Sequence, residues 1–336
     1  FDKRHLCPNT GSIVSGSRGC PYRCGYCIND KLGKLYSEKG SSVSHRSVDS
    51  LLDEFEMMTQ RYGVKFFEFA DETFTLRKKW VLDFCDKYKR RIGLPFIFQT
   101  RCDNVDQETL SAVREAGCSK LSFGIESGNE KFRNDILGRK MGDNEVLAAF
   151  KMATDLGFEV CSFNMVGMPY ETEEMSVDTI KINKKIRPNA HNVCIFYPFP
   201  GTRLGDICEI EGWINKGKSN LESYYYDTVL NMPQLDRMTI LTYQKFFPLY
   251  LKTPVFIFPV FTFFLKLFLR ALYFVQRKTK SRLLQDFLNN LYWFTSALTD
   301  IKIMKALLGA ATLRYTKLLK EGGRTTREAF RGIDTT

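Results

Sequence analysis

Cys20-Pro21-Tyr22-Arg23-Cys24-Gly25-Tyr26-Cys27 places three cysteines at i, i+4 and i+7. The run follows an extended apolar segment, Ser12 to Ser15, and the glycine-bounded stretch Gly16 to Gly19. Thiolates are soft, anionic ligands that suit iron–sulfur clusters. A 4Fe–4S cluster held by only three local cysteines keeps one iron without a thiolate, open to a small molecule. A closed electron-transfer cluster would want a fourth cysteine in register, and structural zinc a fourth ligand. The nearest candidates, Cys7 and His5, lie on the far side of the apolar segment and out of any paired spacing. Three structural cysteines or a zinc-binding loop are the alternative to an open cluster.

Outward from this loop the chain alternates strands and helices. The predicted strands are residues 12–15, 65–70, 95–100, 120–125, 159–166 and 191–197. Between them apolar residues recur at helical period: Val48, Leu51, Leu52, Phe55 and Met58 within 48–62, and Trp80, Val81, Phe84 and Tyr88 within 77–91. Stretches 106–116, 143–156 and 173–186 repeat the pattern. Asp106 and Asp143 are suited to start helices, and Gly93, Gly117 and Gly157 stand where helices stop. Strands joined by helical crossovers build a parallel sheet with helices on one outer face. Six such units fall short of a closed eight-fold barrel. The expected fold class is therefore α/β, an open six-stranded (βα)6 partial TIM-type barrel. The expected organisation is a linker over 1–11, the core over 12–212 and a helical C-terminal region over 213–336. Ligands of such sheets sit at the C-terminal ends of the strands, where the cysteine loop also lies.

The residues after each strand are thus the candidate site. Asp71 and Glu72 follow the second strand and either orient substrate or cap the loop. Arg101 follows the third, and pairs either with a carboxylate in the cavity or with Asp103 or Asp106. The fourth strand ends in Gly124-Ile125-Glu126-Ser127-Gly128. Glycines there allow close backbone approach to a ligand, and a carboxylate can accept hydrogen bonds from an ammonium. The fifth runs into Gly167-Met168-Pro169-Tyr170-Glu171-Thr172, where Pro169 stiffens the turn; a purely structural strand-to-helix turn is the alternative. The sixth runs into Tyr197-Pro198-Phe199-Pro200-Gly201-Thr202.

Cys-x3-Cys-x2-Cys, with the aromatic Tyr26 before its last cysteine, resembles the cluster loop of radical S-adenosylmethionine (radical SAM) enzymes. Gly-x-Glu-Ser-Gly at 124–128 and Gly-x-Pro-x-Glu-Thr at 167–172 also resemble that family, and the likeness covers roughly residues 12–212. Ser17-Arg18-Gly19-Cys20-Pro21 and the 197–202 segment are closer still to the subgroup linked to a cobalamin-binding domain. The resemblance implies a 4Fe–4S cluster on Cys20, Cys24 and Cys27. It implies S-adenosylmethionine on the open iron, cleaved on reduction to a 5′-deoxyadenosyl radical. It implies cofactor contacts from Tyr26, Arg101, Gly124, Glu126, Ser127, Gly167 and Pro169, and catalytic positions at the cavity for Asp71, Glu72 and Tyr197. The reaction implied is radical methylation, ring formation or rearrangement at an unactivated carbon of a small or lipid-like substrate, with a flavodoxin- or ferredoxin-type reductant. A methylthiotransferase or tRNA-modifying radical enzyme shares the same core and is one alternative; a non-catalytic cluster or zinc protein is another. The subgroup's Asp-x-His-x-x-Gly cobalamin signature does not occur in these 336 residues, so cobalamin enters by resemblance alone.

With 44% hydrophobic and 26% charged residues the chain is globular rather than disordered. It opens on Phe1 with no signal-peptide pattern, and a natural start upstream, with the cobalamin domain there, is expected. Ten cysteines without paired spacing argue against a secreted disulfide scaffold. A reducing, cytoplasmic setting suits free thiols and an oxygen-sensitive cluster, and Cys7, Cys85, Cys102, Cys118, Cys161, Cys194 and Cys208 read mostly as buried free thiols. Charge is uneven: residues 1–239 hold 33 Lys and Arg against 33 Asp and Glu, and residues 240–336 hold 16 against 5, the whole net +11. Within 246–275 the uncharged run 253–265 is shorter than the ~20 residues a membrane span needs, and it contains Pro254 and Pro259. The expectation is that residues 246–282 lie on an anionic membrane surface. A helical cap packed on the barrel, with a solvated basic face, is the alternative. No spaced aromatic–basic pattern points to nucleic acid.

Overall fold

Strand and helix alternate as the periodicity predicts. The computed structural model describes residues 6–7, 11–36, 43–215, 217 and 223–299, with the side chains of 6, 7 and 298 left aside. His5, the Cys7 side chain and the basic residues beyond 300 therefore lie outside the described residues. The strands are β1 (Leu6–Cys7), β2 (Gly11–Val14), β3 (Ser17–Arg18), β4 (Ser44–His45), β5 (Phe66–Phe69), β6 (Phe96–Arg101), β7 (Cys118–Glu126), β8 (Glu159–Val166) and β9 (Ala190–Ile195). The helices of the barrel are α1 (Ile28–Leu35), α2 (Val48–Tyr62), α3 (Lys78–Arg91), α4 (Gln107–Glu115), α5 (Asp143–Asp155), α6 (Glu173–Ile186) and α7 (Arg203–Ile210). The five predicted helices, α2 to α6, fall within one residue of their expected bounds.

β2, β5, β6, β7, β8 and β9 lie side by side in chain order, each pair parallel. Chain order equal to spatial order, with helical crossovers, is the open (βα)6 half-barrel. β1 adds an antiparallel edge to β2, so two residues of the stretch expected as linker pair with the sheet. β3 and β4 form a separate ribbon just before and after the cysteine loop and α1.

Side chains alternate across each strand. Phe67, Phe69, Phe96, Phe98, Leu121, Phe123 and Val160 face the helices and are buried. Phe55 of α2 stacks on Phe67 at 4.1 Å, and Phe69 meets Phe74 at 4.6 Å and Phe84 at 5.4 Å. Each such ring pair contributes roughly 0.5–1.5 kcal/mol beyond its area. The alternate residues, among them Gln99, Arg101, Ser122, Met165 and Cys194, face the concave side. Asp106 caps α4 by accepting the Thr109 N–H at 2.8 Å. α5 starts at Asp143 as expected, but its cap is Gly142, whose N–H donates to Glu145 at 2.6 Å. Cys85, Cys102, Cys118, Cys161 and Cys208 are buried free thiols, and Cys194 is half-buried. Burial pushes the Cys85, Cys102 and Cys208 thiols up to about 12, which leaves them inert at neutral pH.

The described residues divide into two compact units at the Gln244/Lys245 junction. The first runs on past residue 212 through the bridge between Ile214 and Leu230 and into α8 (Arg237–Lys245). α8 belongs to the barrel by its bonds: Gln244 donates to the Val193 carbonyl at 3.2 Å, and the Tyr243 hydroxyl donates to Glu173 at 3.0 Å.

The second unit holds α9 (Phe247–Lys252), α10 (Phe258–Thr279) and α11 (Arg282–Thr299). Here one expectation is corrected. Pro259 does not interrupt the apolar run; it sits in the first turn of α10, where no amide hydrogen is required and proline's φ already suits the helix. Val255–Thr279 is thereby one helix of 25 residues with mean hydropathy 2.0, long and apolar enough to cross a membrane by length and composition.

Candidate active site

Residues at the strand ends shape the cysteine loop. The Gly16 N–H donates to Asp71 at 3.0 Å and the Ser17 hydroxyl donates to the other carboxylate oxygen. Asp71, buried just past β5, thus fixes the turn that launches the loop. Of the two roles open to it, this is the capping one; burial pushes its carboxyl up against those bonds. The Gly25 N–H donates to the Leu137 carbonyl at 2.9 Å, and the Leu204 N–H of α7 donates to the Gly25 carbonyl at 2.8 Å. Leu137 closes a π-helical turn, Phe132–Ile136, that comes after β7, and Arg203 donates to the Ile136 carbonyl. Cys27 is the residue before the first turn of α1 and brings no side-chain hydrogen bond to it. A thiolate there would meet amide groups that favour anions.

Cys24 is buried, and Cys20 and Cys27 are half-buried. Burial raises the Cys20 and Cys27 thiols above their usual range, so a metal is what would hold them as thiolates. The three thiols influence one another electrostatically. Yet among the described residues no three His, Cys, Asp or Glu side chains converge on a single-ion site.

Two arginines stand beside the thiols. Arg101, at the end of β6, places a guanidinium nitrogen 3.8 Å from the Cys24 sulfur and lies 3.9 Å above the Tyr22 ring. It grips Asp103 through two bonds of 2.8 and 2.6 Å, the salt-bridge alternative for this residue, and donates to the Arg139 carbonyl at 2.5 Å. Arg139 is buried. It donates to the Tyr26 hydroxyl at 2.6 Å and the Gly124 carbonyl at 2.6 Å, and lies 3.4 Å from a Glu126 oxygen. One side chain therefore joins the cysteine loop to the end of β7. Cations so placed would offset the charge of thiolates in the loop.

Glu126 has φ +68°, a left-handed conformation that costs a non-glycine residue on the order of 1 kcal/mol or more. A bulge in the β7–β8 pairing between Gly124 and Glu126 aims it. Burial pushes its carboxyl up and Arg139 pulls it back. The flanking glycines serve the protein itself. A Cβ on Gly124 would lie 2.7 Å from the Glu126 carboxylate and 3.1 Å from Arg139. On Gly128 it would lie 2.2 Å from the Asp178 carbonyl of α6, and the Gly128 N–H donates to Thr179 at 2.9 Å. Ser127 is fully buried and its oxygen accepts the Asn129 N–H at 3.3 Å.

The remaining predicted residues lie at the strand ends but outside this knot. Glu72 is exposed. Gly167, at φ +79°, abuts Ile240 of α8, and Pro169 is buried. The same turn is held by Glu171, which accepts the Met168 N–H at 2.9 Å and the Ser176 hydroxyl at 2.8 Å; burial raises its carboxyl to about 7. Tyr197 is half-buried just past β9, its ring 5.1 Å from Phe199. Sequence reasoning missed Arg139 and the fully buried Arg133, which donates to the Ser127 and Met141 carbonyls and to Asp143. The one signal for Arg139 is an arginine after the glycine at 138, in the loop beyond the fourth strand.

A parallel half-barrel with a three-cysteine loop at its C-terminal mouth defines a class of cluster-bearing enzymes. The chain belongs to the radical SAM superfamily, whose family model matches residues 14–182. It is an enzyme of that superfamily, with a 4Fe–4S cluster and S-adenosylmethionine as the family's cofactors. It is 31% identical, over 57% of its length and 40% of the relative's, to an uncharacterized methyltransferase of Pyrococcus horikoshii. It is 26% identical to the anaerobic magnesium-protoporphyrin IX monomethyl ester cyclase of Rubrivivax gelatinosus, over 70% of this chain and 42% of that protein. The chain thus spans about two fifths of the length of these relatives. Among solved structures, the cobalamin-dependent S-adenosylmethionine radical enzyme OxsB matches 95% of this chain and 56% of its own, with TM-score 0.56 and 13% identity. The radical S-adenosylmethionine methyltransferase TsrM from Kitasatospora setae matches 63% and 40%, with TM-score 0.52 and 18% identity. Both likenesses are of fold.

Proposed function

We propose that this chain is the radical-generating core of an enzyme that methylates, or closes or rearranges a ring at, an unactivated carbon of a small or lipid-like substrate, with cobalamin taking part. Cys20, Cys24 and Cys27 would hold the 4Fe–4S cluster, which with S-adenosylmethionine supplies a 5′-deoxyadenosyl radical once a flavodoxin- or ferredoxin-type donor reduces it. The observation that carries the cofactor assignment is Glu126, a carboxylate held at positive φ at the mouth of the barrel and tied through Arg139 to Tyr26 of the cysteine loop. A carboxylate there accepts hydrogen bonds from the ammonium of the methionine moiety. Arg139 keeps it in place, and Arg101 sets a positive charge against the thiolates. Asp71 holds the loop's approach with both carboxylate oxygens. The methyl-transfer and ring-forming chemistry is supported by relatives named as methyltransferases and as a cyclase. The cobalamin step is supported by fold neighbours described as cobalamin-bound.

The cofactor assignment is tested by titrating S-adenosylmethionine into the anaerobically reconstituted chain. A lost charge-assisted contact costs on the order of 1.5–3 kcal/mol. Glu126→Gln should therefore weaken binding roughly ten-fold or more while the cluster spectrum stays unchanged. Equal affinity of variant and parent would remove Glu126 from the cofactor site.

A further inference from the structure

The second compact unit carries an apolar face with a distinct charge border. On one side α10 is packed within its own unit: Phe258, Thr262 and Leu269 are buried, the Tyr250 hydroxyl bonds to Thr262 at 2.6 Å, and the Tyr250 ring meets Phe258 at 5.0 Å. The other side is bare. Phe256 is 84% exposed, and Val260, Phe263, Phe264, Leu267 and Phe274 are exposed with it. Across the 25-residue helix only 17% of the apolar window is buried. At 3.6 residues per turn these side chains form one continuous arc, and Lys266, Arg270 and Arg277 fall along one border of it. Trp293 and Phe294 of α11 are exposed as well. Residues 245–299 hold eight Lys and Arg against a single acid, Asp286.

We propose that α10 docks this unit on an anionic lipid bilayer, lying in the plane of the interface with its Phe-rich arc among the acyl chains. Charge selects the occupant. A second copy of the chain would bring the same excess of positive charge to the contact, whereas an anionic surface neutralises it. Charge also selects the orientation. Lys266 and Arg270 sit midway along the helix, where a transverse span would carry them into the hydrocarbon, while a helix lying flat keeps them at the headgroups. Apolar insertion and a basic flank are the two signals that together give stable attachment where one alone gives marginal binding. This inference does not rest on the cluster or on the reaction.

The test is co-sedimentation of the full chain with phosphatidylcholine vesicles, with and without phosphatidylglycerol. Binding should need the anionic lipid and should fall as salt is raised. Phe263→Glu/Leu267→Glu and Arg277→Glu/Lys278→Glu alter exposed residues only, so folding is checked by unchanged thermal unfolding. Each double variant should reduce the bound fraction about ten-fold or more. Three results would overturn the proposal: no binding to anionic vesicles by the parent chain, binding of both variants equal to it, or retention through an alkaline wash, which marks a span. A parent dimer that the variants convert to monomer, with vesicle binding unaffected, would assign the face to a second copy instead.

Discussion

Arg139 meets the Tyr26 hydroxyl, the Gly124 carbonyl and the Glu126 carboxylate from one buried position. Its partners come from the cysteine loop and from the end of β7, so a single side chain ties that loop to the proposed cofactor carboxylate. Removing one member of a buried charged pair costs roughly 3–5 kcal/mol, because the other is left uncompensated. Arg139→Ala should therefore destabilise the fold by about that amount in chemical denaturation, and Arg139→Met with Glu126→Gln should recover a good part of the loss. Full additivity of the two changes would show that the pair is not coupled. The cysteines and Glu126 were legible in the sequence because each stands in a short, spaced motif. Arg139 was not, because its bonds reach across 113 and 13 residues of chain and leave no local pattern. Asp71 was legible as a strand-end acid, but its partners, Gly16 and Ser17, become visible only once β2 and β5 are paired.

The elements were read most accurately where period and punctuation agree. α2 and α6 have the predicted bounds, and β8 as well, because apolar spacing, caps and breakers all mark the same residues. β1, the β3–β4 ribbon and the π-helical turn at 132–136 were not legible; each is too short to carry a period. The glycines of the 124–128 segment suggest ligand approach in the sequence; the close contact seen is with Arg139, Glu126 and the backbone of α6. Gly128→Ala should push β7 from α6 and cost about 1–3 kcal/mol, measured as a lower denaturation midpoint with unchanged slope. An unchanged midpoint would mean the turn has room that the 2.2 Å approach denies. α10 shows how a count of uncharged residues misleads. Its prolines sit ahead of the helix or in its first turn, so the helix outruns the uncharged stretch. Burying Lys266 and Arg270 at mid-span would still cost about 2.5–3.5 kcal/mol each, which favours the in-plane arrangement.

Across the whole molecule the division of labour is visible in charge as well as in structure. The residues up to 239 balance to zero, and the excess of positive charge begins with the region that leads into α9 and α10. The barrel brings the cysteine loop, Arg101 and Glu126 to one mouth because all three stand at the ends of parallel strands that finish there. That convergence was legible from strand order alone. The packing that makes it a rigid knot was not, since it depends on the turn after β7 and on α7 closing over Gly25. The central claim is that Cys20, Cys24 and Cys27 hold a three-thiolate 4Fe–4S cluster that activates S-adenosylmethionine. The most direct measurement is the yield of 5′-deoxyadenosine from the anaerobically reconstituted, reduced chain. The parent chain should form it together with methionine, and Cys20→Ala, Cys24→Ala and Cys27→Ala should each abolish both the product and the cluster's visible absorption. A triple-alanine variant that kept the cluster spectrum, or a fully loaded parent chain that bound S-adenosylmethionine and released no 5′-deoxyadenosine, would contradict the account.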